Sequence, residues 1–497
     1  MRITNKMMTN NMMSNINKNK VNMTSLEQQY STGKKIQKPS EDPIIAVRAL
    51  RLRTNLSELE QYYEKNIPDA KSWMDVTESS LKTVNEILTS MNTYCVQGST
   101  DTLTAADRSS IVKNLEQLKH QIYQEGNTNY AGRYVFTGYK TDSSLLFTED
   151  TTNLSYDITE HFSGEQIQIV NQCTGGYTLA DYEDTGVSFD QAPQLKELYR
   201  IQLSYDKLGS EAPDSIEYSI KNSLGVVEPP TVINKIQSRS LTDTDVYKPD
   251  PDEAHYIYET GELILGSGLY EAMRGAVDIS TTYTKTGFSS GDLKPEHYFA
   301  CTMTDSSKPE QGEITYTQDP QKIQYEVNFN QKLTINTEGR DAFSHQIGRS
   351  VDDILKSVNE VVEVENIISE VEKRLADTSL PEDERARYVK MKEQLDTELQ
   401  LKKDIMQKAF SKGIASSSKE QDRVNIAVAD LGSRYVRLEL TEDRLSGQKV
   451  DFTDLLSTNE DADLADTIIK YSAAEVIYNA SLSAASKVVK STLLDFI

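Results

Sequence analysis

The sequence predicts an α+β multidomain protein: a long α-helical rod with coiled-coil-like terminal helices and a β-rich insert. Three observations predict it. Heptad-spaced apolar residues run through both ends, short threonine-, tyrosine- and valine-rich runs fill the middle from Tyr130 to Phe343, and helix breakers are scarce. The 23 glycines and 13 prolines are about 7% of 497 residues, against a typical ~12%. Such a length gives room for about three or four domains, and 37% hydrophobic content supplies real cores.

At the amino end, Met12, Ile16, Met23, Leu26 and Tyr30 follow heptad steps of three and four residues, with Asn19 interrupting the seam. The stripe is narrow and the helix polar, so it wants a helical partner. After Lys38-Pro39-Ser40, either Ser40 or Asp42 is placed to cap a helix whose first turn holds Pro43. That helix should start near Ile44 and continue through Leu52, Leu56, Leu59, Tyr63, Ala70, Trp73, Val84, Ile87, Met91 and Tyr94, with a kink at Pro68. Gly98 to Thr104 reads as a turn and Ala105 to Glu125 as a returning helix.

In the insert, Ile323, Tyr325, Val327 and Phe329 alternate with polar residues, and Asn330-Gln331 then leads to Leu333 and Ile335, which reads as a hairpin. Gly266 to Ala276 reads as one short helix. The rest of Asp181 to Gln311 reads as irregular.

From Ser350 the helical period returns as far as Leu375. Thr378-Ser379-Leu380-Pro381 ends that helix, and Glu382 to Ser411 starts another, a helical hairpin. Gly413 to Ser418 reads as a small-residue loop before a helix over Gln421 to Leu445. The last stripe is Leu464, Ile468, Tyr471, Tyr478, Leu482, Ala485 and Val489, with Glu475 as its misfit.

Charge and composition exclude several functions. With 53 lysines and arginines against 77 acidic residues, the net charge of -24 repels phosphate backbones and anionic lipid, so neither nucleic acid nor membrane is an expected partner. No apolar run approaches the ~20 residues needed to span a bilayer. Met1 to Asn22 has no Sec-type signal pattern, which leaves a cytoplasmic protein or one exported by another route.

Cys95, Cys173 and Cys301 are too far apart for a zinc-ligand pair, and His120, His161, His255, His297 and His345 lack His-Glu-x-x-His spacing. Ser31-Thr32-Gly33-Lys34 is not a phosphate loop, and Gly33 is better read as a helix break. No catalytic, cofactor or metal residues are assigned, and no enzyme activity is expected. The Glu460-Asp461-Ala462-Asp463 run reads as dipole placement at a helix start.

Met1-Arg2-Ile3-Thr4-Asn5, Ser31-Thr32-Gly33-Lys34-Lys35-Ile36, Pro39-Ser40-Glu41-Asp42-Pro43 and Asn127-Thr128-Asn129-Tyr130-Ala131-Gly132-Arg133-Tyr134-Val135-Phe136-Thr137-Gly138 resemble, in order and spacing, the amino-terminal region of bacterial flagellins and their hook-associated relatives. Leu431-Gly432-Ser433-Arg434, Leu455-Leu456-Ser457 and the closing Leu493-Leu494-Asp495-Phe496-Ile497 are similar to the hook-associated proteins of type 3, which form the junction between hook and filament. The resemblance covers about residues 1–141 and 421–497, with an island at 335–343.

The resemblance implies a structural subunit, exported through the flagellar type III apparatus and located in the extracellular flagellum, which joins hook to filament and templates flagellin polymerisation. Filament flagellin is the alternative reading, and a secreted enzyme carried by the insert is a more distant one. Implied partners are copies of itself in a tubular lattice, an adjoining hook-associated protein, flagellin and an export chaperone. The expected domains are a terminal assembly domain (1–40 plus 458–497), a helical rod domain (41–140 plus 345–457, with the hairpin near 350–412) and a β-rich outer domain (141–344).

The expected assembly interface is Met12, Ile16, Met23, Leu26, Tyr30, Leu464, Ile468, Tyr471, Tyr478, Leu482 and Val489. Ordering a residue costs about 1–2 kcal/mol, so Met1 to Lys38 is expected to be largely mobile until neighbours complete it.

Overall fold

The computed structural model describes residues 5–100, 103–183, 187–222, 225–243, 245–377 and 379–494. The start and the last three residues of the terminal motifs, and Thr378, lie outside the described residues, as do the side chains of 488–494, Val489 among them.

From the amino end come α1 (Asn5–Thr32), α2 (Pro43–Gln61), one π-turn (Tyr62–Asn66), α3 (Ile67–Gly98) and α4 (Ala105–Glu125). The middle holds β1 (Asn129–Tyr130), β2 (Arg133–Tyr134), β3 (Thr151–Phe162), β4 (Gln168–Thr174), α5 (Leu179–Glu183), β5 (Gln194–Gln202), β6 (Ile216–Ile220), β7 (Thr231–Ile233), β8 (Ile236–Arg239), β9 (Ala254–Ile257), β10 (Glu262–Leu265), α6 (Ser267–Met273), β11 (Ala276–Phe288), β12 (Ala300–Asp305), β13 (Ile314–Tyr316), β14 (Gln324–Asn328) and β15 (Gln331–Thr334). Then follow α7 (Gly339–Ala342), α8 (His345–Leu375), α9 (Glu382–Glu460) and α10 (Leu464–Leu494). These elements form two compact units. One comprises residues 1–70, 325–333 and 436–497, the other 71–324 and 334–435.

In the first unit, α2 starts where its local chemistry dictates. The Asp42 carboxylate accepts from the Ile44 and Ile45 amides at 2.9 and 3.1 Å, and Pro43 takes the first helical position. The disturbance expected at Pro68 is a π-turn just before it, which relieves the ring's clash with the carbonyl four residues back. Tyr62 in that turn packs edge-on against Phe329, 5.5 Å between centroids. The Asn66 amide donates to the Glu326 carbonyl at 2.8 Å, and Tyr325 donates to the Asp69 carboxylate, so the β14–β15 hairpin grips the turn. Val327 and Leu333 face inward as their alternation requires, whereas Phe329 lies in the turn beside Asn330, whose φ is +55°.

The second unit joins a helical bundle to a two-sheet sandwich. Trp73, Leu81, Leu88 and Met91 of α3, Leu115 of α4, Val351 and Ile354 of α8, and Phe410, Val424 and Leu431 of α9 are buried. Two expectations are corrected here. The helix expected from Ser350 begins at His345, capped by Ser344, whose hydroxyl accepts from the Gln346 amide at 3.0 Å. The expected loop at Gly413–Ser418 lies inside the unbroken α9, which also absorbs the two helices expected over 382–411 and 421–445.

Packing explains the second correction. A Cβ at Gly413 would lie 2.7 Å from Ile354 Cδ1 and 3.1 Å from Cys95 Sγ, so the glycine lets α9 approach α8 and α3 closely. Ser416 and Ser417 then bond across the contact, to Ser350 at 2.9 Å and to Asn92 at 3.1 Å. Small residues in this stretch serve helix contact.

The expected irregular region, Asp181 to Gln311, is largely ordered into sheets. An antiparallel sheet runs β13-β12-β3-β11-β6-β7 and a second sheet β4-β5-β10-β9-β8, with β8 and β9 parallel. Their shared core includes Tyr156, Ile158, Ile279, Tyr283, Tyr256 and Leu263. The opposite face of the five-stranded sheet turns toward α8 and α9. There Arg200 bonds Glu262 at 2.5 Å and Asp353 of α8 at 2.6 Å. The short helix expected within Gly266–Ala276 is α6. Among the described residues, no helix is long and apolar enough to cross a membrane.

Candidate assembly interface

Both terminal helices belong to the first unit. The helix α1 carries seven asparagines in 28 residues, a poor composition for a helix standing alone. It ends at Gly33, whose φ of +70° suits a residue without Cβ. It packs along α10 in antiparallel fashion.

Between the helices, two short segments clasp. The Lys35 amide donates to the Glu460 carbonyl and the Ala462 amide to the Gly33 carbonyl, both at 2.8 Å. The carboxylates of the 460–463 run divide their work. Asp463 caps α10 by accepting from the Ala465 and Asp466 amides at 2.9 and 3.1 Å, which is the helix-start role expected of the run. Glu460 and Asp461 do something else: Asp461 pairs with Lys34 at 2.6 Å, and the nearly buried Glu460 receives the Arg53 guanidinium, Nε at 3.1 Å.

On α1 the residues turned inward are Thr9, Met12, Ile16, Asn19, Met23, Leu26 and Gln29, a stripe that keeps heptad spacing as far as Leu26. Four expected residues are on it, with Ile16 the most buried, whereas Tyr30 is 53% exposed and Gln29 takes its place. The amide of Asn19 reaches Ser481 at 3.4 Å, a polar contact of the kind that fixes register between paired helices.

On α10 the inward stripe is Thr467, Tyr471, Ala474, Tyr478, Ser481 and Ala485. Tyr471 and Tyr478 are on it as expected. Leu464, Ile468 and Leu482 are not: they are 49%, 44% and 42% exposed. Glu475, expected to break the seam, lies outside it. The reason is that α10 has apolar residues on every side, Ile469, Val476 and Ile477 included, so periodicity alone could not choose its face. On the inner face the small residues Thr467, Ala474, Ser481 and Ala485 alternate with Tyr471 and Tyr478. The bulkier Leu464, Ile468, Ile469, Val476, Ile477 and Leu482 remain outward.

In the second unit, the glycine-tyrosine segment around Arg133 forms the β1–β2 hairpin, turning at Ala131 and Gly132 with φ of +50° and +81°. The Arg133 guanidinium stacks 5.0 Å from the Trp73 ring. Among the described residues, no group of three or more histidine, cysteine or acidic side chains is placed to hold a metal.

Residues 3–141 match the bacterial flagellin N-terminal helical region. That similarity to bacterial flagellins covers less than a third of the chain. A flagellar hook-associated protein 3 from Salmonella typhimurium is 32% identical over 145 residues, 29% of this chain and 45% of that protein. A flagellin from Clostridium tyrobutyricum is 31% identical over 126 residues, 25% of this chain and 33% of that protein. The chain thus spans less than half the length of these relatives. A solved flagellar hook associated protein-3 from Legionella pneumophila covers 82% of this chain and 97% of its own at 10% identity, with a TM-score of 0.31, too low to add weight.

Proposed function

We propose that this chain is a non-enzymatic structural subunit of the bacterial flagellum, seated at the junction of hook and filament, where it templates flagellin polymerisation. The observation that carries the reading is the outward apolar surface of α10, next to an amino-terminal region of flagellin type. A helix apolar all round is normally buried, and α1 covers one face of it. Copies of the chain in a tubular lattice cover the rest, with an adjoining hook-associated protein on one side and flagellin on the other.

Folding and assembly are then coupled. The 28 residues of α1 lose about 1–2 kcal/mol each on ordering, which a narrow seam offsets poorly until neighbours add contact area. The same weakness suits export in unfolded form through the type III apparatus, in the care of a chaperone. The charge of -24 keeps unassembled subunits apart.

Immunogold labelling of isolated flagella tests the location. A narrow band at the filament base supports the junction reading. Label along the whole filament supports the second reading, filament flagellin, which the similarity to a Clostridium flagellin favours. Label absent from flagella contradicts both. Deleting residues 464–497 is expected to leave a soluble chain that cannot support filament growth, and normal filaments on cells carrying only that truncation would contradict the assembly role.

A further inference from the structure

The five-stranded sheet and the α8–α9 hairpin, both in the second unit, line a half-open cavity of about 460 Å³. Well-packed interiors have few voids larger than a water molecule, whereas small-molecule sites occupy about 300–1,000 Å³. The walls are apolar on both sides: Val170, Leu198 and Ile264 from the sheet, Ile405 and Ala409 from α9. Val170 and Leu198 are cross-strand partners, so they present one continuous surface.

Four basic and four acidic side chains line the cavity: Arg200, Lys356, Lys408 and Lys412 against Glu197, Glu262, Asp353 and Glu360. Arg200, Glu262, Asp353 and Lys412 satisfy one another: besides the Arg200 pairs, Lys412 reaches Asp353 at 3.2 Å and the side-chain amide oxygen of Gln168 at 2.6 Å. They form a closed wall with little left to offer.

Lys356 of α8 is different. Among the described residues it spends one of its three donors, on the Tyr247 hydroxyl at 3.2 Å, and it faces the cavity with the others. Burial opposes its charge, but Glu262, Tyr247 and Glu360 outweigh that and hold it protonated. Glu360, one turn along, is pushed the other way: burial raises its carboxyl, against the pull of Lys356 and Lys402. Lys356 therefore has donors to offer inside the cavity, while Lys408 and Glu197 line its exposed rim with opposite charge.

We propose that this cavity is a binding site for an amphipathic carboxylate, its hydrocarbon or aryl body lying on Val170, Leu198 and Ile264 and its anionic head held by Lys356. The site is independent of the terminal helices and of the assembly reading.

Calorimetric titration of the full chain with decanoate, decylammonium and decanol tests it. Decanoate is expected to bind saturably at one site and tightest of the three. Lys356→Met should weaken it about tenfold or more, the value of a charge-assisted hydrogen bond, while Lys356→Arg retains most of the affinity. Filling the cavity by Ala409→Phe should abolish binding, with Ile405→Phe as the second filling variant and circular dichroism confirming that each is folded. Binding of decanoate unchanged in Lys356→Met and in a folded filling variant would place it on the outward apolar helices and overturn the proposal. Tighter binding of decylammonium, or the absence of saturable decanoate binding, would overturn it as well.

Discussion

The Lys34 ammonium lies 2.6 Å from the Asp461 carboxylate, across 427 residues of chain, and ties the segment after α1 to the segment before α10. The hydrogen bond to Lys34 holds the Asp461 carboxyl below the usual carboxylate range, and the same bond raises Lys34. The signs follow from linkage. The contribution of Asp461 is present above the usual carboxylate pKa and lost as pH falls through its lowered value, whereas that of Lys34 is lost as pH rises through its raised value. The clasp therefore holds throughout the neutral range.

Its two cations should contribute unequally. Both side chains of the Lys34–Asp461 pair are 41% exposed, so Lys34→Ala is expected to cost no more than about 1 kcal/mol. Arg53 serves Glu460, whose side chain is 7% exposed, and among the described residues Arg53→Ala leaves that carboxylate with only Lys34 as a cation, 3.5 Å away. The expected cost is about 1–3 kcal/mol, read as lost amide protection at the end of α9. Equal effects of the two substitutions would contradict this ranking.

Acid should weaken the second unit through its buried histidines. His345 sits among Tyr205, Tyr298 and Phe299 with Arg349 nearby, and burial, then Arg349, depress it from 6.5 to about 3. Burial likewise lowers His297 to about 4. For a depressed group, the stability is present above the unfolded pKa and lost as pH falls toward the folded one. Each histidine thus subtracts about 1.4 kcal/mol per pH unit below about 6.5. Denaturant titrations at pH 7 and pH 5 should show it, and His345→Phe should reduce the slope by one group's share. An unchanged slope in that variant would contradict the assignment.

Two glycines in α9 should respond oppositely to alanine. At Gly413 the new methyl meets Ile354 and Cys95, and overpacking of about 1–3 kcal/mol outweighs the helix-propensity gain of about 1 kcal/mol. At exposed Gly432 nothing lies within 4 Å of the added Cβ, so Gly432→Ala keeps that gain. Melting temperatures of the two variants, falling for the first and rising for the second, would check this.

Much of the fold was legible in the sequence, and the parts that were not share a cause. Asp42-Pro43 and Gly33 announced α2 and the end of α1 because caps are local chemistry. Gly413–Ser418 was misread because its composition suits a loop equally well, and only the distant Ile354 and Cys95 decide otherwise. The pairing of β3 with β11 joins segments more than a hundred residues apart, which no local pattern encodes. At the interface, the α1 stripe was readable because polar residues frame it. The α10 stripe was not, since leucine, isoleucine and valine lie on several sides and the inner face fell to Thr467, Ala474 and Ser481.

The two faces of α10 should separate stability from assembly. Tyr478→Ser, on the inner stripe, is expected to loosen α1 from α10, read as lower amide protection of α1 in assembled chains than in the unsubstituted protein. Ile468→Ser and Leu482→Ser, on exposed positions, should leave that protection unchanged yet reduce incorporation into flagella. Incorporation unaffected by both outer substitutions would remove that face from the interface.

Amide hydrogen exchange on the purified, monodisperse chain tests the coupling of folding to assembly most directly. Little protection in α1 and α10, beside strong protection in α3 and α8, is the expected result, with protection of both terminal helices rising on assembly. Terminal helices as well protected in the single chain as α3 would contradict the account.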